Sequence, residues 1–243
     1  PTEPEAPPVR DQGPPAVSPP DGSIPLLGVP PPPSPQVLEA LRGYAPDAGH
    51  PRCVVLESSG LVVLRPNAET MAVFDFGRPC PPELPAHAQA DWGTFEVWHA
   101  GARVVVDPGV STYVGERRRW ERSTAAHNTV CIAGEDSTEV WGSFRAGRLG
   151  TAEIVAVTVN RGGSDEVVVT ARQFGYCHLE GRPVHVREVR ITPTSLQVVD
   201  RIESERPVSA ESSITVADGV RPEWVRPTTS CGAADVEVAD GFG

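Results

Sequence analysis

The chain has 243 residues, 39% of them hydrophobic, with 27 prolines, 23 glycines and a formal net charge of −11. Every one of its 21 basic side chains is an arginine, so no broad basic footprint for nucleic acid exists, although a local arginine cluster can still hold an acidic polysaccharide. No apolar run approaches the ~18 residues that span a bilayer, so no transmembrane helix is predicted within this sequence.

Taken from the start, residues 1–36 form a Pro-rich segment with 14 prolines before position 36, which predicts an extended, disordered tether. Residues 37–51 read as a linker, and Gln36-Val-Leu-Glu-Ala-Leu-Arg42 offers one short helix. From residue 52 to 243 the pattern becomes short β-branched runs separated by turns. Strands are predicted over 53–56, 60–65, 70–75, 94–99, 103–107, 128–132, 150–160, 165–174, 184–191, 196–202 and 207–216. In the run from Val184, the set Val184, Val186, Glu188 and Arg190 alternates with His185, Arg187, Val189 and Ile191. Ser58-Ser-Gly60, Ala100-Gly101 and Glu180-Gly-Arg-Pro183 supply turn chemistry. Eleven strands with at most one helix predict an all-β antiparallel sandwich or barrel. No βαβ rhythm or phosphate-binding glycine loop is present, which argues against nucleotide chemistry.

The five cysteines (Cys53, Cys80, Cys131, Cys177, Cys231) are scattered and odd in number, and read as small buried hydrophobes. The chain begins at Pro1 and stops in polar sequence at Asp240-Gly-Phe-Gly. It reads as a segment of something longer, truncated at its C-terminus.

Unusual polar content concentrates in one window. It contains His87-Ala-Gln89-Ala-Asp91, Val104-Val-Val-Asp107-Pro-Gly, Tyr113, Arg117-Arg-Arg-Trp-Glu-Arg122 and Ser123-Thr-Ala-Ala-His127-Asn-Thr-Val. The order reads as strand, turn, strand, long Arg-rich loop, strand, with polar groups at strand ends where sites are commonly built. Singly, each has a plain structural role. Asp107 would cap a Pro-Gly turn, His127 would be a hydrogen-bonded histidine, Tyr113 a loop anchor and the arginines a solvated loop. Their joint occurrence points to function.

This order of motifs, followed by Trp141-Gly-Ser-Phe144 and by Val184-His-Val-Arg187 with Leu196-Gln-Val-Val-Asp200-Arg-Ile, resembles the heparinase II/III-like and related alginate lyase families over roughly residues 52–205. The resemblance implies the C-terminal super-sandwich of a uronic-acid polysaccharide lyase that works by β-elimination, with a helical toroid as the other wall of the cleft. His87 matches the family's catalytic histidine and Tyr113 its sandwich-borne tyrosine. A phenol acting as base needs a lowered pKa, which neighbouring arginines would supply. Arg117, Arg119 and Arg122 are our own candidates for clasping a substrate carboxylate. The family also implies a structural zinc; Asp107 and His127 match two ligands, but Gln89 stands where a second histidine would be. A periplasmic, cell-envelope or secreted location follows from the same resemblance. Because the toroid is missing, negligible activity is expected of this chain alone. The rival reading is a non-catalytic sandwich that docks acidic glycans.

Overall fold

The computed structural model describes residues 52–160 and 165–220. The proposed tether, the linker helix, the C-terminal tail and Cys231 lie outside them.

Two antiparallel meanders make the body of the molecule. The first sheet runs β1 (Arg52–Leu56), β2 (Leu61–Arg65), β3 (Thr70–Asp75), β4 (Phe95–His99) and β5 (Ala102–Val105), each strand beside the next. The second contains β9 (Ala152–Asn160), β10 (Glu166–Gln173), β11 (Val184–Thr192) and β12 (Ser195–Glu203), again in sequential order. Two short ribbons complete the described strands. β6 (Val130–Ile132) pairs with β13 (Ala210–Ser212), and β7 (Val140–Trp141) pairs with β8 (Arg145–Ala146).

The pairing follows from alternation. In β2 and β3 the residues Val62, Leu64, Ala72 and Phe74 lie on one face and are fully buried. They share a core with Phe95, Val97, Val104 and Val105 from the same sheet and with Val167, Val169, Ala171, Val189 and Ile191 from the second. Stacked rings of Phe74 and Phe95, with centroids 4.9 Å apart, mark the centre of the first sheet's inner face. Each fully buried Val, Leu, Ile or Phe of this set contributes about 1.5–3 kcal/mol by leaving water, so this shared layer holds the sheets together. The β1–β2 turn requires Gly60 at φ 74°: a Cβ there would meet Gly77 Cα at 2.3 Å.

The inward face of β11 contains a buried ionic network as well as hydrophobes. His185 and Arg187 project into the molecule with Val189 and Ile191. Arg187 Nε and Nη2 donate to the two oxygens of Asp200 on β12 at 2.7 and 2.8 Å. Its Nη1 donates to the carbonyls of Gly93 and Asn128, at 2.5 and 2.7 Å, on the segments leading into β4 and β6. His185 Nε2 lies 2.7 Å from Asp200 Oδ1 and Gln173 Nε2 lies 3.3 Å from its Nδ1, while the Trp92 ring meets its edge. Coulomb attraction and full hydrogen bonding offset the desolvation of this pair, so the network joins the sheets through polar contacts as well as apolar ones.

Two expectations are corrected. The Arg-rich stretch predicted as a long loop contains a helix, α1 (Gly115–Glu121), entered through Gly115 at φ 84°. Glu and Arg are good helix formers, and Arg117 and Glu121 pair one turn apart at 2.8 Å. The β7–β8 ribbon was not predicted, because two-residue strands carry too little alternation to read. Cys53, Cys80, Cys131 and Cys177 are free thiols, only partly buried. Burial pushes Cys53 and Cys131 up to about 11, which keeps both protonated and unreactive. Among the described residues no helix is long and apolar enough to cross a membrane.

Candidate functional site

Two neighbouring sets of residues account for the window singled out in the sequence. The first is a buried clasp at the end of β5. Asp107 accepts from Thr94 Oγ1 at 2.5 Å, from the Gly109 amide at 2.9 Å, and lies 2.9 Å from His127 Nδ1. His127 follows the 3-10 turn Thr124–Ala126 and is 1% exposed. Burial opposes charge on both partners, but their mutual bond wins: His127 is held above its usual value and Asp107 below. Nδ1 therefore carries the proton that faces Asp107. Next in the chain, the fully buried Asn128 donates to the carbonyls of Phe95 and Val106 at 2.8 and 3.0 Å and accepts from the Thr215 amide at 2.6 Å. Close by, burial pushes the Asp91 carboxyl up to about 6, with Asp75 and Asp107 adding to the push and His127 opposing it.

The donors of this clasp do not fit the zinc site that the family resemblance implies. Asp107 and His127 Nδ1 are engaged with each other, and Gln89 offers only an amide oxygen, a weak zinc ligand. Among the described residues no three His, Cys, Asp or Glu side chains converge as a ligand set. The Gln89 Oε1 and His127 Nε2 atoms are both buried without a hydrogen-bond partner among those residues. An amide oxygen and one imidazole nitrogen are fewer and weaker donors than the two-histidine, one-aspartate set the resemblance implies.

The second set lies around α1. His87 ends the 3-10 turn Pro85–His87 and is exposed. Tyr113, 65% exposed, stacks on Phe144 with ring centroids 6.4 Å apart. Between and beneath them runs Arg118, 2% exposed, a member of the arginine run that taken singly reads as a solvated loop. Its Nη2 donates to Ala86 O at 3.1 Å and its Nη1 to Thr112 O at 3.2 Å, the carbonyls immediately before His87 and Tyr113. Its Nε donates to Ser143 O at 2.5 Å, and its guanidinium carbon lies 5.4 and 5.1 Å from the Tyr113 and Phe144 ring centroids. One buried cation thus fixes both candidate catalytic residues to the same anchor.

The three arginines expected to clasp a substrate sit differently from one another. Arg122 is 1% exposed and donates to the carbonyls of Ala88, Gly142, Ser143 and Arg145, at 2.7 to 3.3 Å. It braces the β7–β8 ribbon against the His87 turn and presents no free donor to solvent. Arg117 and Arg119 are exposed, but each is paired, to Glu121 at 2.8 Å and to Glu116 at 3.2 Å. Glu121 is itself buried and also accepts from the Ser111 amide and hydroxyl. Burial opposes its charge, yet the Arg117 and Ser111 bonds hold its pKa below the ordinary value. Arg118 and Arg122, one helical turn apart, carry a readable signal only once the helix is recognised.

The fold defines a class, a two-sheet antiparallel β-sandwich domain. A family model described as heparinase II/III-like, C-terminal, matches residues 49–238, and the chain belongs to that family. It is 42% identical over 60 residues to a heparin-sulfate lyase of Bacteroides stercoris, a match covering 22% of this chain and 9% of that protein. A heparin-sulfate lyase of Bacteroides thetaiotaomicron is 34% identical over 75 residues, covering 29% of this chain and 11% of that protein. The chain's matches thus span about a tenth of these relatives. Among solved structures, the heparan sulfate lyase HepC from Pedobacter heparinus shares the fold at a TM-score of 0.50 and 22% identity, covering 72% of this chain and 26% of that one.

Proposed function

We propose that this chain is the sandwich wall of a polysaccharide lyase that cleaves uronic-acid glycans by β-elimination, and that a helical toroid forms the other wall of its cleft. The observation that carries the reading is the shared anchoring of His87 and Tyr113 on Arg118. Both side chains are exposed while their backbones are pinned, the arrangement that acid–base chemistry on an outside polymer needs.

In the reaction, a base removes the proton at C5 of the uronate and the C4–O bond breaks. The electron pair forms the C4–C5 double bond, and O4 leaves with a proton. Tyr113 and His87 are the groups of this wall that exchange those protons, and a cation beside the uronate carboxylate lowers the energy of the carbanionic stage. A secreted or cell-envelope location suits a polymer too large to enter the cell.

The test is to replace His87 by Ala and Tyr113 by Phe in the full-length, toroid-bearing parent. Each change is expected to lower kcat by about 10²–10⁴, the usual worth of a positioned acid or base. The present chain alone is expected to release no unsaturated product. Gln89, in place of the family histidine, favours one other reading, a glycan-docking module; turnover unaffected by both changes, with binding retained, would establish it instead.

A further inference from the structure

In the lyase reading the substrate is negatively charged, yet the four arginines in and just after α1 are already engaged, Arg117 and Arg119 with glutamates and Arg118 and Arg122 with carbonyls. The β7–β8 ribbon supplies what is missing. Trp141 and Arg145 are directly opposed across the two strands. The Arg145 guanidinium lies over the indole, 4.9 Å from its centroid, and Trp141 remains 47% exposed. Among the described residues no carboxylate pairs with Arg145, in a chain whose net charge is −11.

The ribbon is also rigidly placed. The carbonyls of Gly142, Ser143 and Arg145 accept from Arg122, which in turn holds Ala88 beside His87. Phe144, next to Arg145, carries the Tyr113 stack. The indole and its cation therefore stand on the same braced unit as the two proposed catalytic groups.

We propose that Trp141 and Arg145 form a subsite for one acidic sugar residue of the polymer, and this rests on the lyase reading above. The apolar face of a pyranose ring packs on the exposed indole, and the guanidinium pairs with that sugar's carboxylate or sulfate through a planar, two-donor contact. The stack holds the guanidinium in place before the sugar arrives, so little side-chain entropy is lost on binding. An unpaired cation selects a charged glycan over a neutral one. A protein partner covering the ribbon would instead need an acidic group aimed at Arg145 and would remove Trp141 from water.

The experiment titrates this chain with a heparin oligosaccharide, a hyaluronan oligosaccharide of matched length and neutral maltodextrin, following the Trp141 indole N–H by NMR. Both acidic probes should shift that signal and the neutral one should not; a larger effect from heparin would indicate a sulfate and an equal effect a carboxylate. Arg145→Gln should weaken acidic binding about tenfold, and Trp141→Ala at least as much, with the remaining spectrum of each folded variant unchanged. The idea is overturned by no binding, by binding that leaves the Trp141 signal still, or by binding insensitive to both substitutions. It is also overturned if the indole of the full-length parent is shielded from a small aqueous quencher. In that parent, Trp141→Ala should raise KM. If KM stays unchanged while His87→Ala abolishes turnover, the subsite fails and the lyase survives. Oligosaccharide binding lost in both variants, with turnover indifferent to His87 and Tyr113, means the reverse: the subsite stands and the lyase reading fails.

Discussion

Asn128 shows how one side chain can decide the shape of a site. Its amide satisfies two carbonyls and one backbone N–H drawn from β4, the end of β5 and the segment leading out of β13. Asn128→Ala leaves three buried polar groups unpaired, each costing about 1–3 kcal/mol. Chemical denaturation should show a loss of about 3 kcal/mol or more, and a loss under about 1 kcal/mol would mean that water replaces the amide. The same strand end sets the metal prediction. Elemental analysis of the purified chain should find zinc well below one equivalent; a stoichiometric amount would show that Gln89 and the Asp107–His127 pair do act as ligands. The sequence exposed Asp107, His127, His87 and Tyr113 because each stands in a recognisable motif. It did not set Asn128 and Arg118 apart from their neighbours in the same motifs, because their importance comes from carbonyls that are distant in the chain and carry no side-chain signature.

Among the elements, β11 and β12 carry the clearest dependence on pH. Burial holds His185 below its ordinary value despite the pull of Asp200, with Arg187 adding to the depression. Burial opposes the charge of Asp200, but Arg187 and His185 hold its pKa well below the carboxylate range. Both groups are thus depressed on folding, and the sign is the same for each. Their stability is present above the unfolded values, about 6.5 for histidine and about 3.9 for aspartate, and is lost as pH falls through the folded ones. Against the opposing pull of Asp91 and His127, whose raised values add stability as pH falls, the His185 contribution should lower Tm below about pH 6.5 and that of Asp200 should lower it further below about pH 4. His185→Gln, which keeps a hydrogen-bonding side chain between Gln173, Asp200, Arg187 and Trp92, should remove the first decline and leave the second. If the variant kept both, another group would be responsible.

Strand β9 makes the opposite point about what patterning reveals. Val155, Val157 and Val159 are between 41% and 48% exposed on an edge strand. An apolar edge is a template for strand addition, and here Glu153 is the one charged residue of the strand. Val157→Lys should raise the solubility of the isolated chain and leave its stability within about 0.5 kcal/mol of the unsubstituted chain. Reading 150–160 as a strand was straightforward from its β-branched residues; which of its faces is covered depends on packing that the local sequence does not encode.

For the molecule as a whole, composition, turn spacing and alternation reached an all-β antiparallel sandwich or barrel and the family resemblance chose the sandwich, because alternation marks the inward apolar faces but not how the sheets close. The site was only half legible. Its motif residues were visible, but which arginines face solvent depended on the unpredicted helix, and the opposed Trp141 and Arg145 depended on a ribbon too short to detect. The central claim is that this sandwich presents His87 and Tyr113 as the proton-transferring groups of a lyase cleft. It is tested most directly by the rate at which the full-length, toroid-bearing parent forms unsaturated uronate ends, measured for the wild type beside His87→Ala and Tyr113→Phe. The account predicts turnover by the wild type and a fall of about a hundredfold or more in each variant with folding intact. Equal rates in all three proteins would contradict it.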